Sequence, residues 1–318
     1  MDLLFLGTSA GVPTRARNVT GLAVLDEVGK GWYLIDCGEG TQHRLLRTRL
    51  SLHDLRAVFI THVHGDHCFG LPGLLASAAM QGRREALDII APSGIETLVR
   101  TSLRVSDSHL PYDLRFIPVE TFVHWQSANV IVEAFALSHR VPCHAYRFTE
   151  RNPQPRLDIA RLEREGVPRG PLWGLLARGQ DVAHEGRRLC ADDYRLAGRA
   201  PRRLIVAGDN DRPELLQEAC EGICVLVHEA TYTQAVLDTA KANHGHSSAA
   251  TVARFAARAG VPNLVLTHFS ARYQADPSNG TSIEDIRVEA QQYYAGTLFL
   301  AEDLMRLHLG RDGRLIRV

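Results

Sequence analysis

Apolar residues along this 318-residue chain fall into short dense runs more often than into strict alternation. Runs at residues 3–6, 57–60, 87–90, 204–207, 225–227 and 264–266 predict strands, the one at 57–60 buried. Residues 22–26 and 32–36 read as a hairpin, 114–119 as a further strand, and 130–137 alternates as a half-buried strand. Helical periodicity places helices at 42–50, 71–80, 94–105, 213–219, 233–242, 249–259 and 283–294, and the tail predicts strands at 298–300, 306–309 and 315–318. The succession breaks once. From residue 151 to about 200 the periodicity fades, Pro153, Pro155, Pro168 and Pro171 interrupt it, and one helical piece at 157–164 stands out. Such a stretch predicts an inserted arm that protrudes from the body, or a surface insertion without function. No repeat, coiled coil or low-complexity segment appears. The expectation is one α/β domain over residues 1–318 with the arm at about 151–200 inserted in it.

The chemistry concentrates at residues 59–70, Phe-Ile-Thr-His-Val-His-Gly-Asp-His-Cys-Phe-Gly. A buried strand runs directly into His62, His64, Asp66 and His67, and a helix starts behind them. If the backbone stays extended, His62, His64 and Asp66 project to one side and His67 faces another direction. One segment can then serve two metals, with His62 and His64 on the first and Asp66 and His67 on the second. Imidazole with carboxylate suits zinc, with manganese or cobalt as alternatives. Two such ions about 3.5 to 4 Å apart form a hydrolytic device for phosphoryl groups. Further donors stand at later strand ends: His139 after 130–137, Asp209 after 204–207, His228 and Glu229 after 225–227, and His268 after 264–266. His244 and His246 follow a helix. Ligands gathered at the edge of a sheet are how α/β folds build sites. Gly7-Thr8-Ser9-Ala10-Gly11 is a loop whose backbone can approach an anion, although most glycine-rich loops are only turns.

Composition narrows the class. With 45% hydrophobic residues the chain can bury a large core. No apolar run reaches membrane-spanning length and Met1 leads directly into a strand, so a soluble cytoplasmic protein without a membrane partner is expected. The six cysteines are scattered without a C-x-x-C pair, which predicts free thiols. Basic and acidic residues balance at 36 each, which argues against broad electrostatic wrapping of nucleic acid and leaves local patches to do any binding. Of the basic residues only Lys30 and Lys241 are lysine. Arginine suits bidentate phosphate contact, and biased codon usage yields the same ratio. Between residues 151 and 203 there are 12 arginines against 7 acidic residues, a local excess of five.

His62-x-His64-x-Asp66-His67, followed in order by His139, Asp209 and His268, resembles the metallo-β-lactamase superfamily, which implies a four-layer αββα sandwich. Within it, several motifs together resemble the short form of ribonuclease Z, of the bacterial ribonuclease BN type. They are Gly7-Thr8-Ser9-Ala10-Gly11-Val12-Pro13, Arg15-x-Arg17-Asn18, Asp36-Cys37-Gly38-Glu39-Gly40-Thr41-Gln42, Gly65-Asp66-His67-x-x-Gly70-Leu71-Pro72-Gly73-Leu74, Gly170-Pro171, His228-Glu229-Ala230-Thr231 and His246-Ser247-Ser248. The likeness covers nearly the whole chain. It implies a hydrolase that removes the 3′ trailer from precursor tRNA, leaving a 3′-hydroxyl, with a 3′ exoribonuclease activity as a further expectation.

By the same resemblance, two Zn(2+) ions per subunit are held by His62, His64 and His139 on one side and by Asp66, His67 and His268 on the other, with Asp209 bridging. Asp66 orients the attacking water, and His246 with Glu229 passes a proton to the leaving oxygen. Arg15, Arg17, Asn18, Ser270 and Arg272 are expected to bind substrate, the first three in a loop near the RNA 3′ end. Gly170 and Pro171 lie in the arm that grips the tRNA elbow from the partner subunit of a homodimer. No DNA partner is expected. Two positions depart from the family pattern: Arg15 stands where lysine is common, and Asn210 where a hydroxyl residue is common. Three other readings compete: a general phosphodiesterase of the same fold, a non-hydrolytic RNA-binding protein with a vestigial site, and a thioester or lactam hydrolase. The last leaves the arm and the terminal motifs unexplained.

Overall fold

The computed structural model describes the chain except residues 28, 152, 154–156, 197, 240–244 and 275–279. Among the described residues two large sheets face each other. The first has eight strands in the order Leu315–Arg317, Arg306–Leu309, Asp2–Gly7, Gly21–Leu25, Trp32–Ile35, Leu55–Phe59, Leu87–Ala91, Leu114–Pro118. The second has seven, in the order Thr297–Leu300, Asn263–Thr267, Val225–Glu229, Arg203–Ala207, Cys143–Glu150, Val130–Leu137, Trp125–Gln126.

The dense apolar runs are explained by burial on both faces. Along Asp2–Gly7, Leu3 and Phe5 enter the core between the sheets, while Leu4 and Leu6 enter the core under the outer helices. In the second sheet Leu204 and Val206 face the first sheet, and Ile205 and Ala207 face the opposite helices. Period-2 geometry with two buried faces leaves no polar alternation to read. Helices Leu71–Met80 and Gly94–Val105 cover the first sheet, and Ala249–Arg258 and Ile283–Gln291 cover the second. The result is the four-layer αββα sandwich. Helix Ile283–Gln291 starts on a capping box in which Ser282 Oγ accepts from the Glu284 amide and Asp285 accepts from the Ser282 amide. Between the sheets an aromatic cluster packs Phe59 against Trp125, Tyr146 and Phe148 with centroids 5.1 to 5.7 Å apart.

Several elements differ from the sequence reading. Cys143–Glu150 is a full strand that the apolar pattern does not predict, because His144, Arg147 and Glu150 interrupt it. Tertiary pairing supplies what local pattern hides: Arg147 lies opposite Glu133 on the neighbouring strand and bonds it at 2.8 Å. The helix expected at 42–50 is the shorter Thr41–Leu45, and that at 213–219 is a 3₁₀ turn, Pro213–Leu216. The end of the helix expected at 233–242, and His244, lie outside the described residues.

The arm emerges between Cys143–Glu150 and Arg203–Ala207, which pair antiparallel as neighbours. It is an enlarged hairpin connection. Helices Ile159–Arg164, Pro171–Ala177 and Ala191–Tyr194 and the hairpin Val182–His184/Arg187–Leu189 enclose a small core of their own, with Leu162, Val167, Leu176, Leu189 and Tyr194 buried. Its base is held by charge: Glu150 accepts from Arg199 and from Arg202, and Arg202 also bonds Glu27.

Candidate metal centre

Trp32–Ile35 pairs parallel with Leu55–Phe59, and Arg203–Ala207 parallel with Val225–Glu229, which pairs parallel with Asn263–Thr267, so their carboxyl ends meet at one edge of the sandwich. A crevice outside the carboxyl ends of parallel strands is the general ligand site of such folds. Here strand Leu55–Phe59 leads to His62 and His64, Arg203–Ala207 to Asp209, and Asn263–Thr267 to His268, while the antiparallel Val130–Leu137 leads to His139.

The backbone is extended at His64 but turns into a single helical turn, Gly65–Cys68. Strand parity therefore does not extend to Asp66 and His67, and the geometry expected from an extended segment is corrected: the helical turn separates this pair from His62 and His64. Glycine makes the turn fit. A Cβ on Gly38 would lie 2.3 Å from the Asp66 carbonyl oxygen, and one on Gly70 would lie 2.1 Å from that of Gly38. The Asp36-to-Gln42 motif and the metal loop thus pack backbone to backbone.

Two groups of donor atoms form. His62 Nε2 and His139 Nε2 stand 3.1 and 3.2 Å from His64 Nδ1. His67 Nε2 and His268 Nε2 are 3.2 Å apart, and each lies 3.4 to 3.5 Å from Asp66 Oδ2. Asp209 sits between the groups. Its Oδ2 is 3.7 and 3.6 Å from the His62 and His139 nitrogens, and its Oδ1 is 3.4 Å from both His67 and His268. Zinc with ligands at 2.0 to 2.1 Å in a tetrahedron separates them by about 3.3 Å, which is the spacing observed in both groups. Asp209 Oδ1 is buried and has no hydrogen-bond partner among the described residues, as a bridging ligand atom would be. The donor set thus fits two divalent cations sharing one carboxylate, and the cluster is a binuclear metal-binding arrangement.

Outer contacts fix the ring orientations. His67 Nδ1 donates to Asp36 Oδ2 at 2.7 Å, and Asp36 in turn accepts from the Thr61 amide and hydroxyl. His139 Nδ1 donates to the Gly245 carbonyl at 2.8 Å. His268 Nδ1 lies 3.0 Å from Thr231 Oγ1. Asp36 and His268 both adopt φ 57, a left-handed conformation that is costly for non-glycine residues and clusters at functional sites. The carboxylate of Asp66 also accepts the Gly11 amide at 2.8 Å. The glycine-rich loop does approach an anion, and that anion belongs to its own chain.

Charge balances around the cluster. Burial, with the neighbouring rings of His67, His139 and His64, keeps His62 neutral by pushing its pKa far down. Burial would lower His67 too, but Asp209 and Asp36 outweigh it and raise it to about 10. Glu229 is buried and would be raised, yet His246 holds it down at about 2. Its partner His246, lowered by burial and raised more strongly by Glu229, sits at about 9.

His246 and Glu229 stand directly over the cluster. Nδ1 of His246 donates to Glu229 Oε1 at 3.1 Å, and its ring centroid is 5.2 and 5.5 Å from those of His139 and His268. His246, Asp209 and His268 also lie close enough to share an ion, but the bond to Glu229 commits Nδ1 to a proton. Glu229 accepts four further donors: the amides of Asn210, Ser247 and Thr231, and the Thr231 hydroxyl. Ser247 Oγ donates to the Asn210 carbonyl, and Ser248 caps helix Ala249–Arg258 through the Thr251 amide. Asn210 does not support Asp209. Its side chain instead bonds His228 and the Ser138 amide, bracing the turn that carries His139.

The expected substrate residues divide. Arg15 is exposed, with no carboxylate partner among the described residues, and exposed Arg272 lies over the Tyr232 ring at 5.2 Å. Arg17 donates to the Tyr273 carbonyl, and Asn18 bonds Asp303 and the Glu39 carbonyl, so both are committed to the scaffold. Ser270 pairs with Ala10 beside His268. Gly170 and Pro171 are exposed at the start of an arm helix, away from the cluster. Asp36, Thr231 and Asp303 went unassigned in the sequence reading. For Asp36 a signal existed: a carboxylate directly ending a buried strand, as at Asp209.

Known proteins resemble this chain in sequence and in fold. A family model described as "Anti-Pycsar protein Apyc1" matches residues 1–140. Ribonuclease Z of Pseudomonas putida (strain W619) is 61% identical over 318 residues, covering 100% of this chain and 99% of that protein. Ribonuclease BN of Erwinia tasmaniensis is 42% identical over 275 residues, covering 86% of this chain and 90% of that one. Among solved structures, the short form of human tRNase Z superposes with a TM-score of 0.68 at 26% identity, covering 98% of this chain and 100% of its own.

Proposed function

The chain belongs to the ribonuclease Z family, and from this we propose that it removes the 3′ trailer of precursor tRNA by endonucleolytic hydrolysis, leaving a 3′-hydroxyl. The observation that supports this most is Asp209, with one oxygen turned to each donor group. His62, His64 and His139 would hold one ion and Asp66, His67 and His268 the other, with Asp209 shared between them. Tetrahedral spacing and a histidine-rich donor set favour zinc over manganese or cobalt. The two ions, when bound, supply a water of lowered pKa and stabilise negative charge on the phosphoryl oxygens.

The chain's own residues do the remainder. Asp66, tied to the Gly11 amide, keeps its Oδ2 aimed at His67 and His268 and orients the attacking water. Glu229, saturated by five donors, fixes His246 through Nδ1 and leaves Nε2 to deliver a proton to the departing oxygen. The arm binds the tRNA body from the partner subunit of a homodimer. Arg164 and Arg178 are exposed there without carboxylate partners among the described residues, available for backbone phosphates. No described helix is long and apolar enough to cross a membrane, in keeping with action on cytoplasmic RNA.

The test is direct. Purified zinc-loaded protein is given a tRNA precursor with a 3′ trailer, and the products are mapped at both new ends. A single cut with a 3′-hydroxyl on the tRNA is expected. Hydrolysis of a small aryl phosphodiester with the precursor left intact would replace this reading with a general phosphodiesterase.

A further inference from the structure

The tail of the chain, which carries no motif, places one carboxylate at a decisive point. Asp303 follows strand Thr297–Leu300 and its side chain is only 6% exposed. Its Oδ1 accepts from Thr8 Oγ1 at 2.8 Å, and its Oδ2 accepts from the Asn18 amide at 2.7 Å and from Arg44 Nη2 at 2.6 Å. Thr8 and Asn18 are the two ends of one loop. The Thr8 and Ser9 amides also donate to the Asn18 carbonyl, so the loop is pinched at a neck, and the carboxylate with its Arg44 partner closes that neck from below.

The two halves of the loop are held differently. Ser9–Ala10 pairs with Phe269–Ser270, and the Gly11 amide bonds Asp66, so the first half is fixed to the catalytic edge independently of the neck. The second half closes a tight turn, in which the Thr14 amide donates to the Arg17 carbonyl, and exposes Arg15 at its tip. That half returns to the body through Arg17 and Asn18: the Asn18 amide donates to Asp303, and the Arg17 guanidinium, bonded to the Tyr273 carbonyl, also feels the Asp303 charge.

We propose that Asp303 is a positioning residue for RNA: by closing the neck of the loop at residues 8–18 it sets where the Arg15 guanidinium stands relative to the cleavage edge. It touches neither metal ligands nor substrate. Its effect falls on binding of a polyanionic substrate, through Arg15, and spares the hydrolytic chemistry that Gly11 and Asp66 support. The inference rests on the RNA-processing reading above, and wild-type cleavage of the precursor is the control that separates the two: if wild type does not cut precursor tRNA, that reading fails before Asp303 is tested.

The experiment is a double-mutant cycle of Asp303→Asn and Arg15→Ala, with steady-state kinetics on precursor tRNA and on a small aryl phosphodiester. Asp303→Asn is expected to raise KM for the precursor by about tenfold, the scale of losing a charged hydrogen-bond partner, with aryl diester turnover within about twofold of wild type. Arg15→Ala is expected to raise KM similarly, and the double variant to be no worse than the poorer single. Additive losses would overturn the proposal, as would an equal fall on both substrates. Should Asp303→Asn not fold, Arg44→Met removes the ion-pair partner and leaves the carboxylate with Thr8 and Asn18. It should raise KM for the precursor in the same sense, and an unchanged KM would count against the inference.

Discussion

The metal cluster and the arm are built on opposite plans. In the cluster seven side chains converge from four separate stretches of chain, four of them buried and three half-buried, and the outer nitrogens of His67, His62, His268 and His139 meet Asp36, Thr61, Thr231 and the Gly245 carbonyl. The arm is one continuous stretch around a small core, with exposed arginines that mostly pair locally, as Arg169 does with Glu163 and Arg188 with Asp181. Chemistry that needs sub-ångström placement stands on the sheet edge, whereas contacts to a large, shape-read substrate can stand on an appendage joined through two neighbouring strands. Damage to the first should abolish turnover on every substrate, and damage to the second should be felt only on RNA.

The largest effect should come from Asp209→Ala, which removes the atom pair facing both groups. Metal content, measured by plasma mass spectrometry, should drop below two per chain and hydrolysis of every substrate should be lost. Two retained ions would break the bridging assignment. Next, His246→Ala should keep both ions and slow cleavage about 10²- to 10⁴-fold, the range for loss of a general acid. Zinc loss in that variant would move His246 from proton delivery to ligation.

Replacing residues 151–201 by a short turn sharpens the contrast. The Glu150 amide already bonds the Arg202 carbonyl at 2.9 Å, so the shortened hairpin can close. KM for precursor tRNA should rise about 10²-fold, the scale of losing a second linked contact site, while aryl diester turnover should be preserved. An unchanged KM would remove the arm from substrate recognition.

The smallest effect is one of pH at the arm's base. Burial would raise the Glu150 carboxyl, but the hydrogen bonds from Arg199 and Arg202 bring it down to about 2 from an ordinary 4.5. A depressed carboxylate stabilises the fold above its unfolded pKa, and that stabilisation is lost as pH falls from 4.5 toward 2. Hydrogen-exchange protection at residues 198–203, taken relative to the intrinsic rate at each pH, should therefore fall over that window in wild type, and Glu150→Gln should show the lower protection already at neutral pH with the acid response gone.

Legibility followed distance along the chain. His62, His64, Asp66 and His67 stand within six positions, and chemistry that close in sequence can be read without a fold. His139, Asp209 and His268 were readable only as donors at successive strand ends and through the family resemblance. The roles of Asp36, Thr231 and Asp303 were not readable, because each depends on partners far away in the chain, as Asp303 depends on Thr8, Asn18 and Arg44. Strand Cys143–Glu150 was hidden for a related reason: Glu133, which neutralises its Arg147, lies across the sheet.

Periodicity and turn residues alone determined that this is an α/β chain with short apolar strands, an interrupted stretch after residue 150, and metal-type donors at strand ends. Those properties depend on neighbours a few residues apart, where local backbone preference and side-chain direction suffice. Only the tertiary structure decided that a helical turn, instead of strand parity, divides the two donor groups, that Asp209 faces both, and that Asn210 braces His139. These depend on lone pairs and amides meeting across the sheets at about 3 Å, and hydrogen-bond and metal-ligand geometry at that range is set by how the layers pack.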